Sequence, residues 1–153
     1  MKRDFNLRFD DVELVGGGSN FLKDSKVTKF ILRGSNELLS LDSMFKDCKH
    51  LHTVDGNFDL TDIPSIKSLF EGCVSLVEPV GLLFNGDIDM SRAFYGCDIL
   101  PVIKLGNTTL VNFTSLEGAF DGCPNLDGIS FVGSTSKESV KTMMNLLSPI
   151  EED

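Results

Sequence analysis

Four cysteines recur along the chain at a nearly constant interval, and this interval constrains the fold more than any other feature of the sequence. Cys48, Cys73, Cys97 and Cys123 follow one another after 25, 24 and 26 residues. The neighbouring residues recur with them, because each Cys comes three residues after a Phe and three residues before a Leu. A period of about 20–50 residues is typical of repeat folds, in which similar units stack on one another. The chain is therefore predicted to be a stack of similar coils.

Weaker copies of the unit flank the four clear ones. Phe21 lies 24 residues before Phe45, and Asp24 takes the place of the Cys in that unit. The predicted organisation is one repeat domain with an N-terminal strand and cap over 1–20, repeats over 21–134, and a C-terminal capping helix with an acidic tail over 135–153. A capping-box pattern at Thr135–Glu138 predicts the start of that helix. Its predicted inward residues are Val140, Met143, Met144 and Leu147.

Within one unit the spacing of apolar residues changes from one period to another. Ile66, Leu69, Phe70 and Cys73 follow the i, i+3, i+4, i+7 pattern, which predicts about two turns of helix. After the Cys the apolar residues alternate, as in Ile103-Lys-Leu105, which predicts a short strand. The predicted fold class is α/β, a short right-handed solenoid of leucine-rich-type repeats with parallel strands on one face, short helices on the other and capping ends.

One block of the repeat resembles a known family. Residues 119–129, Ala-Phe-Asp-Gly-Cys-Pro-Asn-Leu-Asp-Gly-Ile, are similar to the A-F-x-G-C-x-x-L-x-x-I signature of BspA-type leucine-rich repeats. Residues 93–97 and 69–73 contain the same Phe-x-Gly-Cys motif, and the resemblance is clear over about Leu41 to Phe131. Such repeats occur in bacterial and protozoan surface proteins and in phage-encoded proteins. The resemblance implies a leucine-rich-repeat solenoid used as an adhesive or interaction module.

The charge balance excludes one large class of partner. The chain has 14 Lys and Arg against 23 Asp and Glu, a formal net charge of −9. Binding to a phosphate backbone needs clustered basic residues, so no nucleic-acid partner is expected. No apolar run reaches the length of about 18–20 residues that spans a membrane, and no signal peptide is visible at the start. A cytoplasmic or virion-associated protein is favoured over a secreted one.

The residues that carry chemistry in other proteins do not form a catalytic or cofactor-binding pattern here. Equivalent cysteines in a stack predict a column of buried structural thiols, with disulfide pairs as the alternative. His50 and His52 lie next to Cys48, but nothing completes a four-ligand metal site. The glycine-rich run Gly16–Ser19 lacks the Lys-Ser/Thr of a phosphate-binding loop. The sequence therefore predicts no enzyme, no cofactor and no metal.

The predicted function is a non-catalytic protein–protein interaction module. Outward strand residues that differ between units would form the binding face, and the partner would be a protein. The alternatives are a structural component of a larger assembly, such as a phage virion or a cell surface, and an acidic inhibitor. A monomer is expected unless the chain is part of an assembly. The predicted interaction face consists of Lys29, Ile31, Arg33, Thr53, Asp55, Glu78, Val80, Val102, Lys104 and Ser130.

Overall fold

Short parallel strands from successive coils pair side by side and form a β-solenoid of about five turns with one short helix. The computed structural model describes residues 4–10, 14–33, 36–78, 81–106 and 111–147. Its strands and helix are β1 (Asn6–Asp10), β2 (Leu14–Gly16), β3 (Lys29–Arg33), β4 (Asn36–Leu38), β5 (Thr53–Asp55), β6 (Asn57–Asp59), β7 (Gly81–Leu83), β8 (Gly86–Asp89), β9 (Val102–Gly106), β10 (Val111–Ser115), β11 (Gly128–Val132) and α1 (Lys137–Leu146).

The strands form two principal sheets along the solenoid. The first sheet has the order β1-β3-β5 and the second has the order β11-β9-β7-β6, while β2 pairs with β4 and β8 with β10. Every pairing is parallel, as the repeat predicted. Alternate residues point to opposite faces of a strand, so Phe30, Val54 and Ile103 enter the core.

The face predicted to be helical is built from consecutive turns instead. Successive backbone amides alternate between two kinds of hydrogen bond. Met44 N donates within its own coil, to Leu41 O at 3.1 Å, and Phe45 N donates to the next coil, to Leu69 O at 3.0 Å. The same alternation continues with Asp47 N, which donates to Glu71 O at 2.7 Å. An α-helix would use its interior amides within the segment and leave none for the neighbouring coil. The predicted apolar residues are still buried, because consecutive turns and an α-helix both bury residues at i, i+3, i+4 and i+7.

Left-handed backbone at a repeated position explains why Gly or Asp precedes each Cys. Asp47, Gly72, Gly96 and Gly122 have φ values of 60°, 76°, 73° and 71°. The amide of the Cys that follows Asp47, Gly72 or Gly96 donates to the carbonyl three residues before it, so the left-handed residue is the third of a four-residue turn. A type II turn requires positive φ at that position, which Gly adopts without steric cost. The coil of Cys48 uses Asp47, and Asp is one of the few other residues that tolerates this conformation.

Stacked phenylalanines and cysteines fill the space between the coils. The ring centroids of Phe45 and Phe70 are 5.3 Å apart, and those of Phe70 and Phe94 are 5.5 Å apart. Each thiol donates a hydrogen bond to the carbonyl of the preceding coil, as from Cys73 Sγ to Phe45 O at 3.1 Å and from Cys97 Sγ to Phe70 O at 3.2 Å. All four cysteines are free, as the predicted column of structural thiols requires.

A buried carboxylate joins three coils on the turn face. Glu71 accepts hydrogen bonds from Arg92 Nε at 2.7 Å and Ser68 Oγ at 2.9 Å, and Lys46 Nζ lies 3.4 Å from its other oxygen. The hydrogen bond from Arg92 is the main reason that the pKa of Glu71 lies below its usual range, although burial opposes this shift. The ionised carboxylate therefore stabilises the stack.

The two ends differ from each other and in part from the prediction. At the N-terminal end the segment predicted as strand and cap contains β1, which pairs in parallel with β3 and so continues the stack. At the C-terminal end α1 begins after Ser136, whose side chain accepts a hydrogen bond from Ser139 N, one residue later than the predicted cap at Thr135. Met143 is buried, but the expectation that Met144 points inward is wrong, because its side chain is 59% exposed.

We expect Cys73→Ala to lower the free energy of unfolding by about 2 kcal/mol, because it leaves a small cavity and removes the hydrogen bond to Phe45 O. Urea denaturation would measure this change. Cys123→Ala is the matched control at the partly exposed end of the column and should cost less. Equal losses of stability at both positions would contradict the conclusion that burial makes the Cys73 thiol the more stabilising of the two.

The pH dependence of stability should reveal the Glu71 cluster. Because the folded pKa of Glu71 is lowered, its contribution is present above the unfolded value of about 4.3 and is lost as the pH falls through the folded pKa. Glu71→Gln should therefore lose less stability than the wild type between neutral and acidic pH, as thermal unfolding at several pH values would show. Glu117→Gln, on an exposed side chain of the same face, should follow the wild type.

Candidate functional site: the outer strand face and the corner groove

The solvent side of the first sheet brings together half of the predicted interaction residues. We call this surface the outer strand face. Parallel pairing places Lys29 beside Thr53 and Ile31 beside Asp55, with Arg33 at the end of β3. Strand β1 adds a third row, in which Asn6, Arg8 and Asp10 are exposed. Each row comes from a different coil, so side chains far apart in the sequence stand at the strand spacing of about 4.8 Å.

Ion pairs orient the charged side chains of this face. Arg33 donates two hydrogen bonds to Asp55, from Nη1 to Oδ1 at 2.8 Å and from Nη2 to Oδ2 at 2.7 Å. These bonds hold the pKa of Asp55 below its usual range and raise the pKa of Arg33. On β1, Arg8 Nε lies 3.1 Å from Asp10 Oδ2. Exposed pairs of this kind contribute little stability, but they fix the direction of donors and acceptors toward solvent.

Ile31 differs from its neighbours on the outer strand face. Its side chain is only 3% exposed, whereas Arg33 on the same strand is exposed. The register places Ile31 between Arg8 and Asp55, in the middle of the three-stranded sheet. Its prediction as part of an accessible surface therefore needs correction: Ile31 lies beneath the polar face and contributes almost no contact area.

The remaining predicted residues lie apart from the outer strand face. Val102, Lys104 and Ser130 are on β9 and β11 of the second sheet, where Lys104 is exposed and pairs in register with Ser130. Glu78 is exposed but precedes β7 instead of lying on it. Val80 lies outside the described residues. Within the described residues, the predicted face therefore falls on two sheets, the first ending at β5 and the second beginning at β6.

Gly56 lies at this division between β5 and β6. Its φ is +137°, and a Cβ on it would lie 2.5 Å from the carbonyl oxygen of Leu32. No larger residue fits this close approach to the neighbouring coil without a shift of the backbone. The chain therefore turns at Gly56 out of the first sheet and into the second.

A groove runs along one corner of the solenoid, beside the first sheet. This corner groove has a volume of about 370 Å³. Its residues come from successive coils, since His50 and Ser75 lie two residues after Cys48 and Cys73, and His52 N donates to Thr28 O of the preceding coil. The groove is lined by Asp4, Phe5, Lys26, Thr28, His50, His52 and Ser75.

Backbone and side-chain bonds hold the walls of the groove and join it to the outer strand face. His52 N donates to Thr28 O at 2.9 Å, and Ser75 Oγ donates to Lys49 O at 2.7 Å. The ring Nδ1 of His52 lies 3.1 Å from Thr53 Oγ1, the first residue of β5. The groove and the outer strand face therefore form one continuous surface.

Sequence reasoning missed this groove, although the repeat contained the signal. From the sequence, the two histidines are weighed only as metal ligands beside Cys48. Aligning the units places His50 in the column of Lys26 and His52 in the column of Thr28, so that each pair must lie on adjacent coils. Both histidines of an acidic chain thus line one groove with a lysine.

The described residues give little basis for covalent or metal chemistry. Burial raises the pKa of all four thiols, so the thiolate form is disfavoured at each cysteine. No three His, Cys, Asp or Glu side chains in the described part of the chain are placed to hold a metal ion. Within the same residues, no helix is long and apolar enough to cross a membrane.

Comparison with known proteins finds no match for this chain among protein-family models, curated proteins or solved structures.

Thiol labelling should follow the burial of the cysteine column. In the native protein at pH 8, we expect Cys123 to react first with a disulfide reagent, while Cys48, Cys73 and Cys97 react only as fast as the coils open. Mass spectrometry of peptides from a time course would assign the sites. Rapid labelling of all four cysteines in folded protein would contradict the observed packing.

Proposed function

We propose that this protein is a non-catalytic protein-binding module, and that its partner binds to the corner groove and the adjoining outer strand face. The observation that carries the proposal is the continuity of these two surfaces across the first coils. A rigid stack displays the side chains of each coil at fixed intervals, which is how other solenoids bind partners. The partner is expected to lie across several coils at once.

The chemistry of the groove favours a partner that presents carboxylates. Lys26, His50 and His52 bring side-chain nitrogens to the groove, and Lys29 is the first residue of β3. Among the described residues, Asp4 is the one acidic residue that lines the groove. Elsewhere the chain carries an excess of negative charge, so an acidic partner would be repelled from other surfaces and directed here.

We also infer that the repeats are of the BspA-like leucine-rich type. Support comes from the Ala-Phe-x-Gly-Cys motif of residues 93–97 and 119–123. This motif lies on the turn face and supplies the left-handed Gly and the thiol of the repeat. Interaction is the usual role of such repeats, which agrees with the proposal made from the groove.

A pull-down from the organism that encodes the chain would test the proposed binding surface. Wild-type protein should capture a partner, and Lys26→Glu/Lys29→Glu should capture at least about tenfold less, because two donors become like charges toward carboxylates. The melting temperature of the variant should stay close to that of the wild type, since Lys26 is exposed and Lys29 is on the solvent side of β3.

Lys104→Glu/Lys137→Glu is the matched control, with the same change of charge on the second sheet and at the start of α1. It should leave capture unchanged. If this control loses the partner and Lys26→Glu/Lys29→Glu retains it, the assignment of the groove is wrong and binding belongs to the second sheet.

A further inference from the structure

The N-terminal end of the solenoid carries a strand edge with a defined hydrogen-bonding direction. Among the described strands, β1 is the edge of the first sheet. The carbonyl of Phe5 accepts hydrogen bonds from Thr28 N at 2.8 Å and Lys29 N at 3.5 Å, so it faces β3. Backbone groups alternate sides along a strand, so those of Leu7 and Phe9 face β3 as well. The amides and carbonyls of Asn6, Arg8 and Asp10 therefore face away from the sheet.

The side chains along this edge are complementary to themselves. If two copies of β1 pair antiparallel about a two-fold axis at Phe9, Arg8 of each copy lies opposite Asp10 of the other. Arg8 and Asp10 are the residues whose backbone groups face the edge, so these opposite residues also form the hydrogen-bonded positions of the ladder. Both side chains lie on the solvent side, where each Arg8 can exchange its own Asp10 for that of the second copy.

The surface next to this edge is apolar. Phe5 is 47% exposed and Phe21 is 45% exposed, and Leu22 rather than Phe21 takes the place of Phe45 in this coil, since Cys48 Sγ donates to Leu22 O as Cys73 Sγ does to Phe45 O. A cavity of about 330 Å³ opens at the same end, lined by Phe5, Leu7, Leu22, Ser25, Lys26 and Val27. A second copy stacked on this end would cover these side chains, as each coil covers the one before it.

Within the described part of the chain, the opposite end offers no equivalent surface. Helix α1 packs against β10 with Met143 fully buried, so it occupies the place where another coil would stack. The edge strand β11 carries no charged residue that could pair with Arg8 or Asp10. Charge complementarity and the position of the helix therefore favour contact between two N-terminal ends over contact between unlike ends.

We propose that the protein forms a head-to-head dimer in which two β1 strands pair antiparallel about a two-fold axis at Phe9. The first sheets of the two copies join into one six-stranded sheet, and the outer strand faces become continuous across the axis. This proposal goes beyond the proposed function and does not depend on it. It differs from the sequence-based expectation of a monomer unless the chain is part of an assembly.

Reversal of the charges at the edge tests both the dimer and its register. Arg8→Asp places two acidic residues opposite each other, and Asp10→Arg places two arginines opposite each other, so each variant alone should dimerise at least about tenfold more weakly than the wild type. The double variant Arg8→Asp/Asp10→Arg should recover dimerisation. An equimolar mixture of the two single variants should form a heterodimer, because both cross-strand pairs are then complementary.

Sedimentation velocity over a concentration series would measure the oligomeric state, and circular dichroism would confirm that each variant is folded. Lys104→Asp, on the second sheet, is the control and should leave the dimer unchanged. A wild type that stays monomeric throughout the series would overturn the proposal. A ladder of species larger than the dimer would overturn it too, since that result requires contact between unlike ends. Single variants that dimerise as well as the wild type would refute the register.

Discussion

Backbone hydrogen bonds between the turns of neighbouring coils are the interaction on which the rest of this structure depends. On the turn face, alternate amides such as those of Phe45 and Asp47 donate to the next coil, while the amides between them close turns within the coil. A single coil can satisfy only half of these groups, and unpaired buried amides are costly. Each coil therefore requires its neighbour, and the strands on the other faces are brought into parallel register as a result.

The repeated residues are the side chains that this stacking demands. Gly72, Gly96 and Gly122 occupy the left-handed turn position, the phenylalanines stack ring on ring, and each cysteine thiol bonds to the carbonyl of the preceding coil. A cysteine at this place is a small apolar group with a weak donor, which fits a narrow space beside a carbonyl oxygen. The recurrence of this pattern from coil to coil thus reflects packing and hydrogen bonding.

Regular stacking also explains where the candidate interaction surfaces lie. Residues at one position of successive coils form columns, and two such columns beside the first sheet make the corner groove with Lys26, His50 and His52. The turn at Gly56 carries the chain from the first sheet into the second. The ends of a stack are its irregular parts, because there the coil-to-coil bonds have no further partner. Helix α1 covers one end, and the charged edge of β1 marks the other.

By itself the sequence determined the period, the parallel pairing and most of the core, because apolar residues such as Phe70 and Leu76 recur wherever a coil must be covered by the next. It did not distinguish helix from consecutive turns, since both bury residues at i, i+3, i+4 and i+7. Only the tertiary structure decided that choice, because amides bonded to another coil are invisible in local spacing. The burial of Ile31, the exposure of Met144 and the corner groove were likewise decided by neighbours from other coils or by the end of the stack, which no single unit contains.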